Sequence, residues 1–177
     1  MGLNPTKIPE EWRVLDEFPK YEISNLGRIA RSRDDLIVTP SKTQHGDLKV
    51  RLYISLEETR TRLLKVLVAE TFVPKLDDIF DTPILIDGNP ENVMATNIAW
   101  RPRWYAWKYT RQFAEPQPEE YKRGPVVELD EDGQTIINIY DDIIEVGITH
   151  GLLFERIWKS IHQQEQVFPT GQQFAWA

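Results

Sequence analysis

No cysteine occurs among the 177 residues, and there are only three histidines and two methionines. The missing cysteine excludes a disulfide framework, a thiolate nucleophile and a Cys-type zinc site, and it fits a reducing compartment. The histidines, His45, His150 and His162, lie far apart with neither i, i+4 spacing nor an H-E-x-x-H context, which reads as surface or turn residues and no metal set. No apolar run approaches the length of a membrane span, and Met1–Lys7 lacks the apolar core of a signal peptide. The expectation is a cytoplasmic protein with no membrane partner. Gly2 with Thr6 fits an N-myristoylation pattern only formally, since Pro5 intervenes.

Other absences narrow the chemistry. There is no Walker loop, no G-x-G-x-x-G and no G-x-S-x-G elbow, so no cofactor is implied. Asp130-Glu131-Asp132-Gly133 starts like a calcium loop, but with Glu128 as its first position Ile139 stands where the bidentate Glu belongs. An Asp-Gly hairpin turn fits better. Asp77, Asp78 and Asp81 read as a solvated loop.

What is present is a globular composition, 41% hydrophobic and 11% aromatic, enough for one ordinary core or two small ones. The net charge of −7 is unevenly placed: residues 1–115 hold 17 Lys+Arg against 17 Asp+Glu, and residues 116–177 hold 4 against 11. Between them, the prolines and polar residues of 114–125 cannot continue a helix or a central strand. The expected organisation is an N-terminal module with its core over 1–113, a Pro-rich linker over 114–125 and a C-terminal module over 126–177.

Turn signals at Ser24-Asn25 and Gly46-Asp47 divide short strands around Tyr21–Ile23, Gly27–Ser32, Leu36–Pro40 and Leu48–Ile54, a small antiparallel sheet. From Thr61 the period becomes helical through Leu64, Leu67, Val68, Thr71 and Phe72, until Pro74 stops it. A strand at Pro83–Ile86, the turn Asp87-Gly88-Asn89-Pro90, the run Asn97-Ile98-Ala99-Trp100 and a helix over Arg103–Phe113 complete a strand, loop and helix unit. The fold class is α+β.

These residues carry a resemblance. Glu10-Glu11-Trp12-Arg13 and Tyr21-Glu22-Ile23-Ser24-Asn25-Leu26-Gly27-Arg28-Ile29 closely resemble the N-terminal module of phage-type HNH homing endonucleases. Leu67-Val68-Ala69-Glu70-Thr71-Phe72 is similar to their L-V-A-E-A-F helix, and Ile86-Asp87-Gly88-Asn89 with Asn97-Ile98-Ala99-Trp100 to their ββα core. Pro125–Leu129, Asp130–Gly133, Gly147–Gly151 and Gly171–Trp176 resemble their C-terminal module with a helix-turn-helix, the first helix ending near Val146. An HNH nuclease needs a hard divalent cation and a His base. The positions where the resemblance places the acidic ligand, the base and the metal-binding Asn are here Ile84, Leu85 and Ala106, and Lys65 replaces a further His. None can hold Mg²⁺ or accept a proton. The catalytic set is expected to be empty, and Asp87, Asn89 and Asn97 to shape the loop through Asx turns and caps.

Binding signals remain. Arg101, Arg103, Lys108 and Arg111 alternate with Trp104, Tyr105, Trp107 and Tyr109. Either the cations neutralise phosphates beside the rings, or the rings form a core seam with the cations as its wet face. Arg28, Arg31 and Arg33 open a second basic stretch that runs on to Lys65. In the acidic C-terminal module, six large apolar residues among ten exceed one helix stripe, so Leu153, Phe154 and Trp158 are expected to face a protein partner. The first reading is a catalytically inactive relative of HNH homing endonucleases that binds double-stranded DNA, with a regulatory role among its uses. The alternative is a phage-encoded interaction factor that docks on a host or virion protein from the host cytoplasm, with a second copy of the chain as another candidate partner. An active nicking enzyme ranks last.

Overall fold

The computed structural model describes residues 8–177; the Gly2 and Thr6 pattern lies outside them. The chain divides into two compact units, one running to Pro74 and including Pro90–Ile98, the other made of Lys75–Asn89 and Ala99–Ala177.

The first unit holds two three-stranded antiparallel sheets where one was expected. Strands β1 (Trp12–Leu15), β2 (Phe18–Ser24) and β3 (Ile29–Arg31) pair in that order, as do β4 (Ser41–Lys42), β5 (Leu48–Tyr53) and β6 (Thr59–Leu63). Leu36–Pro40 forms no strand; Ile37 makes only a bridge to Ala30. Along β5 the two-residue period buries Val50 and Leu52 and exposes Arg51 and Tyr53. Helix α1 (Leu64–Phe72) follows β6 without a break and buries Leu64, Leu67 and Val68, the face that the helical spacing demands.

The Ser-Asn-x-Gly-Arg turn between β2 and β3 is built from its own side chains. Ser24 Oγ accepts from the Arg28 amide at 3.1 Å, while Asn25 accepts from the Glu11 amide at 2.9 Å and donates to the Pro9 carbonyl at 3.0 Å. Gly27 has φ +81°, and a Cβ there would sit 2.4 Å from Val93 Cγ2, so only glycine fits.

In the second unit, β7 (Thr82–Leu85) pairs with β8 (Ile98–Arg101), and α2 (Arg103–Gln112) packs on β7. The three-stranded sheet β10-β9-β11, from β9 (Val126–Leu129), β10 (Ile136–Tyr140) and β11 (Gln173–Trp176), carries α3 (Ile143–His150) and α4 (Phe154–Gln163). Asp132 accepts from the Gln134 and Thr135 amides at 2.8 and 2.9 Å, and Gly133 has φ +68°, which makes Asp130–Gly133 a hairpin turn. Helix α3 runs to His150, four residues beyond Val146, because Asp142 caps its start and Gly151, at φ +66°, stops it. The turn between the helices is therefore Gly151–Leu153. Gly147 lets them close: a Cβ there would lie 2.3 Å from the Phe154 ring.

Segment 114–125 is held inside this unit and does not hang free as a linker. Gln117 donates to the Gln112 and Glu115 carbonyls, and Tyr121 packs on the core formed by Val126, Ile143, Val146, Leu152 and Phe154. His150, expected at the surface, is half-buried in a closed polar network. Tyr140 donates to Glu128 at 2.8 Å, so His150 Nε2–H donates to the Tyr140 oxygen at 2.7 Å. His150 Nδ1 then accepts from the Gln172 amide at 3.1 Å, whose other N–H goes to Glu128 at 2.5 Å. Asn138 supplies a further donor to Glu128 at 2.9 Å.

Candidate nucleic-acid interface

Helix α2 has two faces of opposite character, and the 3.6-residue period assigns them. Tyr105, Ala106 and Tyr109 point inward and are at most 5% exposed, while Trp104, Trp107, Lys108 and Arg111, at i, i+3, i+4 and i+7, form an exposed outer stripe. The rings of this segment are divided between the two faces: its tyrosines belong to the core, and its tryptophans stand outside with the cations.

On the inner face, Ile84 is 2%, Leu85 8% and Ala106 5% exposed. Ile84 and Ala106 share one apolar cluster with Tyr105, Tyr109 and Leu153. The strand and helix positions that the resemblance gives to metal and base are therefore filled, and Leu153 from the turn before α4 closes over them. Among the described residues, no group of three or more His, Cys, Asp or Glu could hold a metal ion. The adjoining loop has the expected Asx turn: Asp87 accepts from the Asn89 amide at 2.8 Å, and Gly88, at φ +72°, lies under the Phe113 ring, where a Cβ would approach to 2.8 Å.

Three expected site residues belong to this interior. Arg101, expected on DNA, is only 6% exposed and donates to the carbonyls of Trp100 at 2.9 Å and His150 at 3.0 Å. Burial pulls its pKa below the ordinary guanidinium value, against the partial compensation of Tyr105 and Tyr109. Leu153 and Phe154, expected to face a partner, are 6% and 2% exposed inside the unit. Trp158 is half-buried and stacks on His162 with ring centroids 4.1 Å apart. Their excess of apolar surface is spent within the chain: α4 packs on α3 and β11, while Leu153 and Phe154 at its start meet α2.

Polar groups of α2 and β8 also complete the ends of α3 and α4. The Tyr109 hydroxyl lies 3.1 Å from the Gly147 carbonyl and also reaches that of Ile86. Tyr105 accepts from the Leu153 amide at 3.0 Å, and Gln112 accepts from the Phe154 amide at 3.1 Å. The start of α4 has no side-chain cap of its own, so these groups satisfy amides that the helix leaves open.

On the outer face, Arg103 and Lys108 form no salt bridge among the described residues, and Arg111 pairs with Glu115 at 2.7 Å. Arg111 also lies over the Trp107 ring at 5.0 Å. Trp104 is stacked on Phe168 with centroids 5.9 Å apart, and Arg156 stands over both rings at 5.5 and 5.7 Å. Arg156 and Phe168 come from α4 and the loop after it, and no local spacing could have tied them to α2. Ile79 and Pro102 join the tryptophans along a shallow apolar depression rimmed by Arg103, Lys108 and Asp81.

In the first unit, most of the basic stretch is already neutralised. Arg28 binds Glu10, Arg31 holds Asp34 through two nitrogens at 3.1 and 2.8 Å, and Arg33 reaches the same Asp34 at 3.3 Å. Lys42, Arg60, Arg62 and Lys65 have acidic partners too, which leaves Lys49 and Arg51 on β5 without an ion pair among the described residues. An exposed pair is worth only about 0–1 kcal/mol, so a phosphate could displace the acid. Each displacement would nevertheless leave a carboxylate beside the bound phosphate. The stronger cationic surface is therefore α2, and Arg28, Arg31 and Arg33 are secondary.

Residues 10–66 match the NUMOD4 motif. A solved structure, described as DNA binding and cleavage by the HNH homing endonuclease I-HmuI, matches with a TM-score of 0.52 at 16% identity, over 94% of this chain and 98% of that one. No curated protein matches the sequence.

Proposed function

The chain has the fold of an HNH homing endonuclease and carries a NUMOD4 motif, and on that premise we propose that it binds double-stranded DNA without cutting it. The two faces of α2 carry this reading. Its outer stripe offers Lys108 and Arg111, flanked by Arg103, for phosphates. Its inner face and β7 bury Ile84, Leu85 and Ala106, the positions that the resemblance gives to a metal and a base, and none of the three can bind Mg²⁺ or accept a proton. A binder that leaves its target intact acts by occupancy, which suits a regulator. Incubating the purified chain with supercoiled plasmid and Mg²⁺ or Mn²⁺ tests the second half. The plasmid should stay supercoiled, and metal-dependent nicking that is lost in Asp87→Ala would overturn the reading. A mobility-shift titration with duplex tests the first half; no binding at low salt would end it.

A second reading, contact with another protein chain, draws support from β10 and not from α4. Ile136, Ile137 and Ile139 are 54%, 53% and 67% exposed on an edge strand, which offers unpaired backbone and apolar side chains together. A light-scattering mass above that of the monomer would favour it.

A further inference from the structure

We infer that the outer face of α2 takes unpaired nucleobases, with Trp104 and Trp107 as stacking platforms, so that the chain prefers opened or single-stranded DNA to closed duplex. The inference rests on the DNA-binding reading above and deepens it. Phosphate neutralisation needs only cations, and the stripe has these in Arg103, Lys108 and Arg111. It does not account for two indole rings, 47% and 60% exposed, one helical turn apart on a solvent face.

Each ring is held by the chain itself. Trp107 carries Arg111 over it at 5.0 Å, and Trp104 is stacked on Phe168 with an interplanar angle of 18° and Arg156 at 5.5 Å. A ring fixed in this way loses little freedom when a base lands on it, which favours binding. Every base has a π-face, so stacking is tolerant of sequence, and cations beside the rings place the backbone that carries the bases. In a closed duplex, neighbouring base pairs already cover those faces, and the tryptophans would meet only the edge of the helix. The rings also lie in an apolar depression with Ile79 and Pro102, which suits a base better than a phosphate. A protein ligand would find the same apolar surface, but Arg103 and Lys108 beside the rings, which form no salt bridge among the described residues, fit a polyanion.

The test uses the full chain and three fluorescent probes: a closed duplex, the same duplex with a central unpaired bubble, and one of its single strands. Anisotropy titrations should give roughly tenfold tighter binding to the bubble and the strand than to the duplex. Trp107→Ala and Trp104→Ala should each weaken bubble binding roughly 5- to 150-fold, the range for base–aromatic stacking, and change duplex binding less than about twofold. Trp107→Phe should restore part of the loss, which separates stacking from a folding defect. Arg103→Gln with Lys108→Gln should weaken all three probes. Equal affinity for the three probes, or tryptophan variants that bind the bubble like the parent, would overturn the inference and leave the duplex-binding reading standing. No binding to any probe would remove both, and self-association that depends on Trp107 without a DNA response would assign the patch to protein instead.

Discussion

Arg101 Nη2 donates to the carbonyl of His150 at 3.0 Å, across 49 residues of chain, and so ties β8 to the end of α3. Its Nε has no hydrogen-bond partner, and among the described residues no carboxylate forms a salt bridge with it. A buried cation held by backbone carbonyls beside Tyr105 is a structural clamp, not a phosphate contact.

Arg101→Ala should therefore lower unfolding stability by about 1–3 kcal/mol, since it leaves buried carbonyls without a donor. The salt slope of DNA binding should stay unchanged. Replacing Arg103, Lys108 and Arg111 with Ala should do the opposite, reducing the slope by roughly one unit for each phosphate no longer neutralised and leaving urea midpoints nearly unmoved.

Rebuilding a nuclease at the degenerate positions should fail. The triple change Ile84→Asp, Leu85→His and Ala106→Asn puts polar groups into positions now at most 8% exposed, those of Ile84 and Ala106 in one cluster with Leu153. Each unpaired polar group buried there costs about 1–3 kcal/mol, and more if charged. The expected outcome is a large drop in Tm and no nicking; a folded variant with metal-dependent cleavage would contradict it.

Acid should loosen the second unit through the network around His150. Burial pushes His150 below its ordinary value of 6.5, with Glu128 opposing. Burial raises Glu128, but Asn138, Gln172 and Tyr140 together with His150 hold it below its ordinary 4.5. Both groups bind protons more weakly folded than unfolded, so stability is full above about pH 6.5 and falls as each takes up its proton. Thermal unfolding followed downward from neutral pH should show Tm falling first through the histidine range and then through the carboxylate range. Replacing His150 with Gln should flatten the first part.

Gly147→Ala should destabilise, although alanine usually favours a helix by about 1 kcal/mol over glycine. The added methyl would stand 2.3 Å from Phe154, so α3 and α4 must part. Pairing it with Phe154→Leu should recover part of the loss in chemical denaturation.

Local signals gave most of the fold and only part of the site. The turn at Ser24–Gly27, the stop of α1 before Pro74, the Asp87 turn and the α2 boundaries all depend on neighbours within a few residues, and each was legible in the spacing. The hidden parts depend on contacts across the chain. Arg101 has the same residue type and local company as Arg103, and only its reach to His150 separates a clamp from a surface cation. In the same way, nothing around Leu153 announces that it lies with Ile84 and Ala106, and Arg28 gives no local sign that Glu10 occupies it. Apolar excess in a helix predicts burial against something; here that something is α2.

The hydrogen-bond partners of Tyr105 and Tyr109 also set an order of events during synthesis. Tyr105 leaves the ribosome 48 residues before the Leu153 amide that it accepts from, and Tyr109 38 residues before the carbonyl of Gly147. Until those residues emerge, the inner face of α2 has Ile84 beside it but lacks Leu153 and these hydrogen-bond partners, whereas all of the first unit has already been made. The nascent chain should thus become protease-resistant in two steps, the second only after Leu153 has emerged.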